Sequence, residues 1–270
     1  MGAGRGDPKV TGVLPVALAS ATKLIGLIMH SVKEYVALME LHREVDPSRV
    51  EEVLRMFVGK IYQKPPLRSS VKRSLRVREI YEIEILEIEG RHVLFRVRCQ
   101  SGTYIRKLCH DVGLILGVEA HMRELRRIAT AHFREDMAVT LHELSEALFI
   151  WRELKDDSFL RKRMLPAEAI VAHLPKIVVK DSAVDAIAHG AQLAAPGVVK
   201  LHEGISKGDL VALMTMKGEL IAVARAEMST EEILQASRGI VATPQRVFME
   251  PGTYPRMWKR KGGESGEARS

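Results

Sequence analysis

The sequence predicts an α+β chain in two parts: helices and antiparallel strands first, then a smaller β-rich unit. Three observations carry this. Residues 32–42 alternate apolar and polar, as a half-buried strand does. Two more alternating runs, at 81–85 and 93–99, flank a turn near Gly90 and read as a hairpin. Beyond the polar run 155–163, the pattern becomes short strands punctuated by glycines.

In order along the chain, Leu14, Leu18, Ala21, Ile25 and Ile28 recur at helical spacing, with Pro15 near the start, so 11–30 is expected to be helical. In 32–42, Tyr35, Ala37, Met39 and Leu41 share one strand face. Asp46 before Pro47 reads as an N-cap with proline in the first turn, opening a helix that buries Val50, Val53, Leu54 and Phe57. The stretch 64–78 carries six basic side chains and no acid. Tyr81, Ile83 and Ile85 alternate with Glu82 and Glu84; Val93, Phe95, Val97 and Cys99 alternate with Leu94, Arg96 and Arg98. Residues 103–116 and 119–128 read as two short helices broken at Gly117, with Thr103 as N-cap of the first. Thr140 and Glu143 form a capping box opening a helix through Leu154. Residues 155–163 read as a linker.

The grammar then changes. A helix at 182–189 ends at Gly190, and short strands follow, punctuated by Gly197, Gly204 and Gly208. A hairpin turns at Lys217-Gly218, Ser229 and Glu232 cap one more helix, and 239–249 is the closing strand. This predicts a small barrel-like second domain. The basic, glycine-rich tail from Arg256 reads as disordered.

Composition excludes several classes. Of 270 residues, 46% are hydrophobic and 28% charged, which is globular usage rather than disorder. Lys and Arg exceed Asp and Glu by 41 to 34, a net charge of +7 that favours nucleic acid or another anionic surface. Two cysteines, Cys99 and Cys109, cannot build a disulfide framework or a cysteine-rich zinc site. No stretch of 18 apolar residues is present, and the first residues lack a signal-peptide core, so a soluble cytoplasmic protein with no membrane contact is expected. There is no metal-ligand spacing, no Gly-x-Ser-x-Gly and no P-loop, so neither triad hydrolysis nor nucleotide-triphosphate chemistry is expected.

Four stretches could carry chemistry. Asp7-Pro8, followed by Gly12 and by Ala21-Thr22-Lys23, puts a carboxylate on a loop. Lys33-Glu34-Tyr35 places a tyrosine on a strand, either in the core or as a stacking plate for a base. In 101–108, Arg106 falls in the first turn of a helix, where the helix dipole disfavours a cation; this points to an anionic partner. In 121–128, Arg123, Arg126 and Arg127, taken with Lys64, Arg68, Lys72 and Arg73, could form a phosphate-binding track.

In this order, the segments DPKVTGVLPVAL…ATK, KEYVALMELH, QKPPLRSSVKR…LRVREIYE, CQSGTYIRKL, AHMRELRRI and TPQRVFMEPGTYPRMW resemble the TruB-type pseudouridine synthases. The branch is the dyskerin-like catalytic subunit of archaeal and eukaryotic box H/ACA ribonucleoproteins, and the second unit resembles its PUA domain. The resemblance implies the pseudouridine synthase fold, a mixed, mainly antiparallel sheet with helices, over 1–165. A PUA domain is expected over 176–252, and a basic tail over 253–270. It implies Asp7 as nucleophile, Tyr35 stacking on the flipped uracil and aiding proton transfer, and Arg106 pairing with Asp7. Leu125 would line the uracil pocket, with Lys33 as a second substrate contact, and no cofactor or metal is implied.

The implied substrate is uridine in rRNA chosen by an H/ACA guide RNA, with tRNA uridine as a second candidate. The implied partners are that guide and the other subunits of the particle. The chain departs from the family where Gly4-Arg5-Gly6 replaces the usual Gly-Thr-Leu ahead of Asp7-Pro8. The family also has a sheet strand upstream of this point. An N-terminal truncation is therefore expected, with a catalytically impaired RNA-binding scaffold as the alternative function.

Overall fold

The computed structural model describes residues 10–64 and 74–257. They divide into two compact units. One comprises residues 10–18 and 25–164, the other residues 19–24 and 165–257.

The first unit is built on strands β1 (Val10–Gly12), β2 (Lys33–Leu41), β3 (Gly59–Gln63), β4 (Arg76–Glu89), β5 (His92–Cys99), β6 (Ala120–Thr130) and β7 (Phe133–Arg134). Its helices are α1 (Gly26–Met29), α2 (Pro47–Arg55), α3 (Ile105–Leu116), α4 (Leu141–Leu154) and α5 (Ser158–Arg163). The sheet order is β1-β6-β2-β5-β4-β3, with β7 on β6. The β1–β6 pair is parallel and the others are antiparallel, so the mixed sheet is as expected.

Strand alternation explains the layering. Ala37, Met39 and Leu41 of β2 face the same side as Val93, Phe95, Val97 and Cys99 of β5. Val50, Val53 and Leu54 of α2, and Leu108, Cys109 and Val112 of α3, close that side into a core. Each fully buried Leu, Met or Phe there contributes about 2–3 kcal/mol. The opposite face is polar. Arg96 meets Glu34 at 3.3 Å, Glu84 at 2.5 Å and Glu82 at 3.7 Å across three adjacent strands.

Local signals are realised where they are strong. Asp46 accepts a hydrogen bond from Ser48 N (2.9 Å) and caps α2. Gly117 ends α3 in the left-handed region at φ +70°. Thr140 and Glu143 make both bonds of the capping box of α4.

Five expectations fail. Residues 119–128 are not a helix but lie in β6, a strand paired on both sides. Met, Arg, Glu and Leu suit helices in isolation, but the long ladder to β2, with β1 at 125–127 and β7 at 129–130 on the other edge, outweighs that preference. Nor is 11–30 one helix. It holds β1, an irregular run past Pro15, a 3-10 turn at Ala19–Lys23 and the single turn α1. Leu14 and Leu18 of the supposed stripe are exposed. Tyr81 is exposed while Ile80 is buried, because a bulge between Ile80 and Glu82 shifts the alternation. Thr103 is not the N-cap of α3. Tyr104 holds that position without a side-chain capping bond, and Thr103 Oγ1 donates to Gln100 O instead (2.7 Å). Part of the supposed linker forms α5, where Arg161 pairs with Asp157 at 2.6 Å.

The second unit contains β8 (Lys176–Val179), α6 (Asp181–Ala188), β9 (Leu193–Ala194), β10 (Val198–Leu201), β11 (Leu210–Met214), β12 (Leu220–Ala226), α7 (Thr230–Gln235) and β13 (Ile240–Val247). Its sheet order is β10-β8-β11-β12-β13-β9. The hairpin turns at Lys217-Gly218, and Ser229 with Glu232 caps α7, both as the sequence predicts. Tyr254, assigned from sequence to the tail, is buried in this unit's core and donates to Glu219 at 2.6 Å.

Candidate active site

The register of three strands sets the site. Tyr35 of β2 stands opposite Arg127 of β6, and Arg127 stands opposite Gly12 of β1. One step along the same face, Ala37, Leu125 and Val10 are neighbours. Lys33 pairs with Thr130 on one side and with Cys99 of β5 on the other. The chain leaves Cys99 through the turn at 100–104 and enters α3. Arg106, in its first turn and exposed, thus follows from the end of the sheet where β2 begins.

Gln63, at the end of β3 and 1% exposed, holds the turn at both of its peptide groups. Its Nε2 donates to Tyr104 O (3.1 Å) and its Oε1 accepts from Tyr104 N (2.9 Å). Ser101 Oγ donates to Met29 O at 2.8 Å. Gly102 adopts φ +81°, and a Cβ there would meet the Arg78 guanidinium at 3.2 Å. Glycine therefore suits this turn on both counts.

Lys33 is 7% exposed, and its ammonium donates to Met29 O (2.8 Å), Ser31 O (2.8 Å) and Ile28 O (3.1 Å). Burial and the nearby Arg127 charge bring the ammonium down from 10.5 to about 8. Three carbonyls take up its three donors, so Lys33 closes the turn between α1 and β2. Because Met29 O also accepts from Ser101, that turn is tied to the one that leads into Arg106.

Tyr35 is partly buried. Burial pushes its phenol above the usual range, the Cys99 thiol adds to this, and the charge and hydrogen bond of Arg127 oppose it. Its hydroxyl is therefore protonated at neutral pH. Cys99 and Cys109 are free, buried thiols, both pushed up to about 12 by burial, and so are poor nucleophiles.

Other sequence-predicted residues fall elsewhere. Leu125 belongs to the core beneath the strands. Arg126 and Arg127 do not form one basic face, since a strand points neighbours to opposite sides. Arg126 is exposed and bound to Glu135 (Nε to Oε1 2.6 Å), Arg123 is bound to Glu40 (2.7 Å), and Arg127 is buried. Lys64 is exposed just past β3. Asp7, Arg68, Lys72 and Arg73 lie outside the described residues. Among the described residues, no group of three metal-ligating side chains could hold an ion. Sequence reasoning missed Gln63, for which a lone Gln before a basic run offers no signal. It also missed Arg127 as the partner of Tyr35, because a helical reading of 119–128 cannot put the two side by side.

Gly12 shows how tightly β1 sits on β6. It has φ +96°, and a Cβ there would lie 2.1 Å from Arg127 O. Gly12→Ala is expected to lose about 2–4 kcal/mol through strain and overpacking. Denaturant titration would read this as a lower midpoint, and an unchanged midpoint would mean that β1 does not dock on β6.

Three family models match the chain: "PUA domain" over 175–248, "tRNA pseudouridylate synthase B C-terminal domain" over 106–172, and "Pus10, C-terminal" over 11–114. The chain is 56% identical over 253 residues to "Probable tRNA pseudouridine synthase B" of Methanothermobacter thermautotrophicus, covering 94% of this chain and 78% of that one. It is 53% identical over 257 residues to the protein of the same name from Archaeoglobus fulgidus, covering 95% and 79%. Among solved structures, it matches an H/ACA ribonucleoprotein bound to a substrate RNA containing 2′-deoxyuridine with TM-score 0.88 and 48% identity, covering 96% of this chain and 78% of that one. A Cbf5–Nop10–Gar1 complex matches with TM-score 0.86 and 51% identity, covering 94% and 78%. With more than half of its residues identical to such relatives over nearly its whole length, the chain belongs to the TruB-type family of RNA pseudouridine synthases, in the Cbf5-like branch that carries a PUA domain.

Proposed function

We propose that this chain isomerises uridine to pseudouridine at positions chosen by an H/ACA guide RNA, in rRNA first and in tRNA as a second substrate. Asp7 acts at the sugar, Tyr35 stacks on the extruded uracil, Arg106 pairs with Asp7, and Leu125 supports the pocket from below. The supporting observation is the register that sets Tyr35, Arg127 and Gly12 side by side, with Gly12 five residues after Asp7.

The chemistry needs no external redox partner. The N1–C1′ bond breaks, uracil turns, C1′ bonds to C5, and the C5 proton leaves while N1 gains one. A carboxylate gives covalent or electrostatic help at C1′. A closed pocket keeps water from the detached base, and the base must leave its stack to be reached. Lys33 serves by position: it anchors the turn next to Arg106 rather than reaching the base. The partners proposed here are a guide RNA and proteins like Nop10 and Gar1, which accompany Cbf5 in a similar solved complex, with the PUA domain holding the guide's lower stem and ACA end.

The test uses the whole chain assembled with a guide RNA and these partners, and a target RNA tritiated at uridine C5. Isomerisation replaces the C5–H bond, so tritium should reach water in proportion to target when guide and target match. No release from guided rRNA or from tRNA would overturn the proposal and leave the scaffold reading.

A further inference from the structure

We infer that Arg127 is a positioning residue that orients the Tyr35 hydroxyl and holds it in register with the strand that follows Asp7. The inference rests on the proposed role of Tyr35 and adds a residue to it.

Arg127 is 8% exposed, though it is charged and stands on a strand where an aliphatic residue would fill the space. Burying a guanidinium costs several kcal/mol unless its donors are used. Two of its contacts are specific. Nε donates to Val13 O at 2.7 Å, while Val13 N donates to Arg127 O at 2.8 Å, so side chain and backbone grip the exit of β1 together. The guanidinium also stands opposite the Tyr35 side chain across the strand pair, where its charge draws the phenol down against burial. One planar, permanently charged group thus spans β1, β6 and β2 at the level of Gly12 and Tyr35.

The consequence is directional. A phenol oxygen that faces a guanidinium points its own proton away from it. Tyr35 is then pre-set as a donor to the base. If it takes up a proton later in the reaction, Arg127 stabilises the phenolate left between transfers. Among the described residues, the other titratable groups beside Tyr35 are Lys33 on β2 and Cys99 on β5. The first has its donors occupied by carbonyls, and the second is a protonated thiol. Neither can supply this orientation.

The test is a double-mutant cycle in the full-length protein with Arg127→Met, Tyr35→Phe and the pair. If Arg127 acts through the hydroxyl, Arg127→Met should slow single-turnover tritium release by about 10²-fold with little change in RNA KM. It should then slow Tyr35→Phe no further. Losses that simply multiply, or a KM that moves with the melting midpoint, would overturn the inference. Arg127→Lys keeps the charge but not the two-sided reach. It should recover only part of the rate, and it completes the cycle if the Met variant does not fold.

A second readout needs no activity. The tyrosinate absorbance that Tyr35→Phe removes should appear at higher pH in Arg127→Met. Loss of wild-type release with this shift intact would reject the role of Tyr35 in catalysis but keep its coupling to Arg127. No shift would reject the coupling itself.

Discussion

Asp7→Asn is expected to abolish tritium release, lowering single-turnover rate by about 10⁴-fold or more. Asparagine has the shape of aspartate but neither its charge nor its nucleophilic oxygen. It can neither bond to C1′ nor stabilise positive charge developing there. The guanidinium of Arg106 would lose the anion proposed for it. RNA affinity, set by phosphate contacts spread over the surface, should stay within a few-fold when measured by filter binding at fixed salt. The melting midpoint should hold as well. Equal conversion by Asp7→Asn and the parent would remove Asp7 from the mechanism. A parallel loss of RNA binding would assign it to docking instead.

Lys33→Met should be strongly destabilising, by about 2–4 kcal/mol. Its stem packs like methionine, so little apolar contact is lost. What disappears is one cation serving three backbone carbonyls at 2.8, 2.8 and 3.1 Å. The peptide groups at the end of α1 would then face a thioether that cannot donate. The effect reaches further because Met29 O is shared with Ser101 Oγ. Loosening it frees the turn before Arg106, so catalytic rate should fall along with the denaturation midpoint. A midpoint within about 0.5 kcal/mol of the parent would show that water satisfies these carbonyls and that the turn does not depend on Lys33.

Much of the fold was legible because its signals are local. Asp46-Pro47, Thr140 with Glu143 and Ser229 with Glu232 each place a helix start through bonds spanning three residues or fewer. The alternations of β2 and β5 follow from a pleat with period two. Tyr81 shows the limit, since a bulge inserts one residue and exchanges the faces without leaving a mark in composition.

The site was legible in part. The family motifs supplied Tyr35 and Arg106 as candidates, and the chain order of those motifs located them. The partners of these residues were not legible, since Gln63 meets Tyr104 across 41 positions and Arg127 meets Val13 across 114.

Amino-acid order alone settled the family, the two-part α+β plan and the caps, because each depends on neighbours along the chain. Tertiary structure decided that 119–128 is a central strand, that Arg126 faces out while Arg127 is buried, and that Lys33 binds carbonyls. The reason is energetic. Pairing with β2 along its length and with β1 at 125–127 satisfies peptide groups of β6, and that gain exists only once β1 and β2 arrive from distant parts of the chain.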